Sequence, residues 1–247
     1  YPAARSSAIL KVCPQLSASI SILNTPNNIL GIEYIKNIIR LNSNITPITL
    51  KRFGSDYHDT RLGIHQSSAT ALRQALWTGI TPKELESQLP PEAHALFTDY
   101  MAQNPAIHLN DYSEILYYKL LSERENGYES YVDVSAALSD RIRNNLYKFD
   151  GIEAFCDLLK TKDITYSRIS RSLFHILLNM RKEELNTYIQ DLGITPYARI
   201  LGFRKDSTPL LSEIDKCTSI PLITKLADAH TILSKPAYEM LKKETVN

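Results

Sequence analysis

From Tyr112 onward, apolar residues return every three or four positions, and they do so in four successive stretches. Tyr112, Ile115, Leu116 and Leu120 form one stripe, and Leu138, Ile142, Leu146 and Phe149 a second. Asp150-Gly151 stands where a helix start is expected, ahead of Ile152, Phe155 and Leu159. Thr165 is placed to cap a fourth helix, with Ile169, Leu173, Ile176, Leu177 and Met180 turned inward. A 3.6-residue period of this kind dictates amphipathic helices that bury one face against each other. The segment after them changes character. Tyr197 to Phe203 and Pro221 to Leu226 predict short strands on either side of a helix over Pro209 to Lys216. This gives a mainly helical domain with a small α/β tail.

The first third predicts a different architecture. Ser17 to Leu23 is Ile-rich and ends at Asn24-Thr25-Pro26, which predicts a strand. Asn27 and Asn28 are placed to cap the helix that carries Ile32, Ile35, Ile38 and Ile39 on one face. Thr46 to Phe53 alternates and predicts a second strand, and another helix starts at Ala69. Strand, helix, strand, helix is half of a nucleotide-binding α/β sheet, in which ligands gather at the strand C-terminal ends. Thr81-Pro82-Lys83-Glu84 is a capping box with proline at the first helical position. Leu89-Pro90-Pro91 stops that helix, and the boundary is expected there, between segments 1–89 and 90–247.

Formal net charge is +1, yet the charges are segregated. Residues 1–53 carry six Lys/Arg against one Glu, the segment from Glu84 to Asp133 is strongly acidic, and Lys160 to Lys182 holds six bases and one acid. Blocks of this kind suggest a basic surface built from separate regions. No apolar run reaches the ~18 residues of a spanning helix, so no membrane partner is expected. Cys13, Cys156 and Cys217 are odd in number and far apart, as expected of reduced thiols in a cytoplasmic protein. The six histidines are scattered without a metal-ligand spacing such as His-x-x-x-His, so no protein-bound metal is expected.

Candidate chemistry centres on Gln66-Ser67-Ser68-Ala69-Thr70-Ala71-Leu72-Arg73. Hydroxyls and free N–H groups at a helix start suit a polyanion, and an Arg one turn in can clamp a phosphate through its planar fork. The same run is also what a simple N-cap needs. Arg52 stands where a predicted strand meets the Gly54-Ser55-Asp56 turn, while Lys51 alternates to the other face. Tyr57-His58-Asp59 has the makings of a dyad, although adjacent residues seldom orient one another. In the helical part Arg168, Arg171 and His175 share a face opposite the apolar stripe, close in sequence to Lys160 and Lys162. That face suits an RNA backbone. Alternatively, the two Arg pair with acids of the 84–133 block.

Tyr1-Pro2-Ala3-Ala4-Arg5, Thr25 to Tyr34, Lys51 to Asp59 and the Ser-Ala-Thr run resemble, in this order, the bacterial tRNA(Met) cytidine acetate ligase family. This family belongs to the HIGH-type nucleotidyltransferases. Thr165 to Arg171 and Tyr197 to Phe203 continue the resemblance, which runs to about Leu211. It implies a partial Rossmann-like (HUP-type) nucleotidyltransferase domain, α/β in class, followed by a mostly α tRNA-binding domain. It implies that Asn27, Asn28, Arg52, Ser67, Ser68, Thr70 and Arg73 meet ATP, with Arg73 as the triphosphate clamp. Lys160, Lys162, Arg168 and Arg171 would meet tRNA. The family's Asn-Pro-Phe-His-x-Gly-His motif is absent from the sequence, which leads one to expect a further N-terminal segment and little activity from this chain alone. The implied reaction joins acetate to ATP as acetyl-adenylate, with Mg²⁺ on the phosphates. The acetyl group then passes to the wobble cytidine of elongator tRNA(Met). Two other readings stay open: a nucleotidyltransferase of a small cofactor, and a tRNA-binding module without catalysis.

Overall fold

The computed structural model describes residues 2–50, 62–63 and 67–245. The chain divides into two compact units, residues 1–106 and 107–247, so the division falls beyond the Leu89-Pro90 stop.

In the first unit α1 (Pro2–Val12) leads into a 3-10 helix over Pro14–Asn24 and then α2 (Pro26–Arg40). The strand expected over Ser17 to Leu23 is therefore helical. A parallel strand needs a neighbour to complete its ladder. The described residues of this unit contain none, and the backbone closes its hydrogen bonds locally. Thr46 to Leu50, the described part of the second expected strand, takes no regular structure, and Leu50 is 94% exposed. The expected half-sheet is thus not formed among the described residues. Pro26 takes the first position of α2 and Thr25 the N-cap, so Asn27 and Asn28 lie inside the first turn and do not cap it. No residue of α2 is buried, and Ile39 of the shared Ile face is 73% exposed. Asn42, in the left-handed region at φ +48°, ends this helix.

Next come α3 (Ala69–Trp77), a 3-10 helix over Pro82–Gln88 and α4 (Pro91–Gln103). The expected capping box is present: the Thr81 N–H donates to Glu84 Oε2 at 2.8 Å, and Pro82 follows. Ala71, Ala75 and Leu85 are buried.

The second unit carries the expected stripes. Leu116 and Leu120 of α5 (Ser113–Glu123) pack with Leu138 and Ile142 of α6 (Ala136–Asn145). Ile152, Phe155 and Leu159 of α7 (Ile152–Leu159) join them, as do Ile169, Leu173 and Ile176 of α8 (Tyr166–Leu177). Ile115 departs from its stripe and is 61% exposed. Met180 falls beyond the end of α8 and is 39% exposed. Gly151 is the N-cap of α7 at φ +88°, but the hydroxyl that serves the helix is remote. Ser113 Oγ accepts from the Ile152 N–H, and Asn110 Oδ1 from the Glu153 N–H. At the far end Arg141 Nε donates to the Leu159 carbonyl at 2.7 Å, closing α7 from α6.

Helix α9 (Lys182–Leu192), not among the elements expected above, precedes β1 (Ala198–Arg199). Then follow α10 (Thr208–Cys217), β2 (Leu222–Ile223), α11 (Ala229–Ile232) and α12 (Lys235–Thr245). The two strands pair in parallel, Ala198 with Leu222 and Arg199 with Ile223. Both are far shorter than expected, and Leu201 and Phe203 lie exposed beyond the ladder. Ile223, Ala229, Leu233, Ala237 and Leu241 form a second small core. Among the described residues no helix is long and apolar enough to cross a membrane.

Candidate functional site

The Ser-Ala-Thr run forms the start of α3. Ser68 is its N-cap, nearly fully buried, and Oγ accepts from the Ala71 N–H at 3.0 Å. Ser67 is held from a distance. Its N–H and Oγ both donate to Gln88 Oε1, at 2.9 and 2.7 Å. Gln88 Nε2 in turn donates to the Gly63 carbonyl, and the Gly63 N–H to Ser67 Oγ. One side chain, 21 residues away in sequence, thus fixes the entry to α3. Sequence periodicity had no means of finding it. With both serines engaged, Thr70 and Arg73 are the groups left facing solvent on the first turns. A helix start with an exposed Arg beside it suits an anion.

The start of α2 is the second such place. Thr25 makes no side-chain cap bond, and Asn27 and Asn28 are exposed beside the uncapped amides. Arg5 of α1 is tied to Glu33 of α2 at 3.3 Å, and Glu33 also meets Lys36 at 3.2 Å. Arg52 and Tyr57-His58-Asp59 lie outside the described residues. The structure therefore gathers Ser67, Ser68, Thr70 and Arg73 on one helix start and Asn27 and Asn28 on another.

In the second unit the basic residues divide. Lys160 closes α7 and pairs with Asp157 at 2.7 Å. Lys162 is exposed in the turn where Thr161 Oγ1 accepts from the Asp163 and Ile164 N–H groups. Thr165 caps α8 as expected, accepting from the Arg168 N–H, and the Arg168 side chain is exposed. Arg171 Nε donates to Asp133 Oδ2 at 2.6 Å, one of the internal pairings left open above. That bond is the main cause holding the Asp133 carboxyl below its usual range. His175 does not share the exposed face: Nδ1 lies 3.1 Å from the Val132 carbonyl and 3.5 Å from Asp133 Oδ2. Asp133 itself is in the left-handed region at φ +64°, which aims its carboxylate at α8. Among the described residues no three metal-ligating side chains gather.

A family model described as HIGH Nucleotidyl Transferase matches residues 1–246. Among curated proteins the chain is similar to the tRNA(Met) cytidine acetate ligase of Thermosipho melanesiensis, 32% identical over all of this chain and 57% of that protein. It is also similar to that of Clostridium acetobutylicum, 38% identical over 83% of this chain and 50% of that protein. The chain thus spans about half the length of these relatives. Among solved structures it is similar to Thermotoga maritima TmcAL. The TM-score is 0.82 to the apo form, at 23% identity, covering 98% of this chain and 60% of that one. It is 0.78 to the form bound with alpha-thio ATP, at 23% identity, covering 98% and 59%.

Proposed function

The chain belongs to the HIGH nucleotidyl transferase family, and we propose that it forms part of an ATP-dependent ligase that acetylates the wobble cytidine of elongator tRNA(Met). The observation that carries this reading is the likeness, along nearly all of the chain, to relatives named tRNA(Met) cytidine acetate ligase. The site chemistry agrees with it. Arg73 and the first-turn amides of α3 would hold the phosphates, and Asn27 and Asn28 would meet the nucleotide at the start of α2, with Arg52 as a third contact. Ser67 and Ser68 serve this site by fixing the helix start. Magnesium carried on the phosphates would offset the charge that builds on them. Acetate would be joined to the adenylyl group with release of pyrophosphate. The cytidine amine would then take the acetyl group, and AMP would leave. The protein's share is positioning and charge stabilisation. Lys160, Lys162, Arg168 and Arg171 would lie along the tRNA backbone, in the cytoplasm where tRNA is modified.

Binding of a slowly hydrolysed ATP analogue tests the nucleotide site. Arg73→Ala removes one charge-assisted phosphate contact, about 1.5–3 kcal/mol. Affinity is expected to fall roughly tenfold to a hundredfold while far-UV ellipticity stays unchanged. Equal affinity in the variant would return the Ser-Ala-Thr run to a plain helix cap.

A further inference from the structure

Tyr117 and Leu121 of α5, Arg124, Arg143 and Asn144 of α6, and Tyr147 line a cleft of about 370 Å³ in the second unit. Ligand pockets fill roughly 300–1,000 Å³. None of the basic residues assigned to RNA above takes part in it. Its charge is one-sided: two guanidiniums and no carboxylate line it. Arg124 is exposed, and its side chain is the nearer to solvent of the two. Arg143 is positioned by the fold. Its Nε is buried with no hydrogen-bond partner, and its nearest carboxylate, Asp140, stands 4.0 Å away. Gly127 makes room for it: at φ +72° this glycine lies so close that an added Cβ would meet Arg143 Nη2 at 2.6 Å. A guanidinium kept partly desolvated and weakly paired attracts an anion strongly.

The same cleft has flat apolar walls. The Tyr117 ring stacks on Phe149 at 5.0 Å, and Phe149 packs on Phe155 at 5.0 Å, which anchors this wall to the core. Tyr147, which also lines the cleft, is 76% exposed, and Lys148 Nζ lies over its ring at 5.2 Å from the centroid, a third cation beside the two guanidiniums. Asn144 adds an amide able both to donate and to accept. A planar heteroaromatic ring against the tyrosines and a phosphate on the arginines match the chemistry of this lining.

We propose that this cleft binds one unstacked phosphorylated nucleoside, its base against Tyr117 and Tyr147 and its phosphate on Arg124 and Arg143. A looped-out residue of RNA and a free mononucleotide share this chemistry. The proposal deepens the reading of the second unit as the RNA-holding part and rests on it for RNA as the source.

The test uses the whole chain and the double variant Arg124→Ala/Tyr147→Ala, both exposed positions. Its melting temperature should match wild type. Two probes are used: a labelled single-stranded seven-nucleotide RNA read by anisotropy, and UMP and AMP read by saturation-transfer NMR. A tenfold or greater loss of RNA affinity in the folded variant, with no mononucleotide signal from wild type, assigns the cleft to RNA. A mononucleotide signal in wild type that vanishes in the variant assigns it to a free nucleotide, and does so even if the RNA does not bind. RNA affinity unchanged in the variant, without a mononucleotide signal, overturns the proposal and leaves the broader RNA reading standing. Arg168→Glu, run in parallel, tests that broader reading alone. No binding of either probe by wild type overturns both.

Discussion

Replacing Tyr128 by Phe removes one oxygen and tests how α5 is finished. Leu120 is among the last four residues of this helix, whose carbonyls have no intrahelical partner. The Tyr128 hydroxyl reaches back across the turn and donates to the Leu120 carbonyl at 2.6 Å. Both residues are fully buried, so no water replaces the lost donor. The ring keeps its packing, and the cost is that of a buried acceptor left alone, about 1–3 kcal/mol. For a chain of this size each kcal/mol lowers the melting temperature by about 2–4 °C. Urea unfolding followed by far-UV ellipticity should show the loss. Burial also pushes the Tyr128 phenol up to about 12. A folded pKa above the unfolded one means that the native state holds the proton more tightly. The resulting stability is complete below about pH 10 and is lost as pH rises towards 12. Tyr128→Phe should therefore flatten the alkaline limb of the stability profile as well as lower its plateau. Variant stability within about 0.3 kcal/mol of wild type at pH 7 would refute the assignment of this hydroxyl as the finish of α5.

Arg171→Ala should cost only about 0.2–1 kcal/mol, since its pair with Asp133 is more than half exposed on the Arg side. Because the Asp133 carboxyl is held below its usual range, that contribution should be present at neutral pH and fade below about pH 4, as urea titrations at both pH values would report. Arg168→Ala should leave stability unchanged, and each of the two changes should lower the salt slope of tRNA binding by about 0.7–0.9 if both guanidiniums touch phosphates. Ser68→Ala should cost about 1–2 kcal/mol by uncapping α3, read from the emission of Trp77 at the other end of that helix.

The helices of the second unit were legible because each carries its own signal. The stripe Ile169, Leu173 and Ile176 and the cap Thr165 lie within one helix, and periodicity needs nothing more. Helix α9 had such a signal in Leu185, Tyr188 and Leu192, half-buried at helical spacing, and it could have been read. The strands of the first unit were not legible in the same way. An Ile-rich run such as Ser17 to Leu23 forms a strand only when another strand accepts its ladder, and sequence alternation does not supply that partner. The candidate site divides along the same line. The Ser68 cap and the exposed Arg73 were readable, because both follow from their place on one helix. The bond from Gln88 to Ser67 and the pair of Arg171 with Asp133 span 21 and 38 residues, and no local pattern encodes them.

The loop between α5 and α6 is secured in an unusual currency. Lys182 Nζ donates to the carbonyls of Glu129 and Val134, and the Lys182 N–H to that of Ser130. Ser172 Oγ donates to the Asp133 carbonyl, and the His175 ring lies within hydrogen-bond reach of that of Val132. The donors come from α8, α9 and their boundary, while the acceptors are main-chain oxygens that every amino acid possesses. Mutation can therefore rewrite Glu129, Ser130 or Val132 without removing one of these carbonyl acceptors. The constraint passes to Lys182, Ser172 and His175, so replacing a side chain of the loop is expected to leave these bonds standing, while replacing one of the three donors is expected to break them.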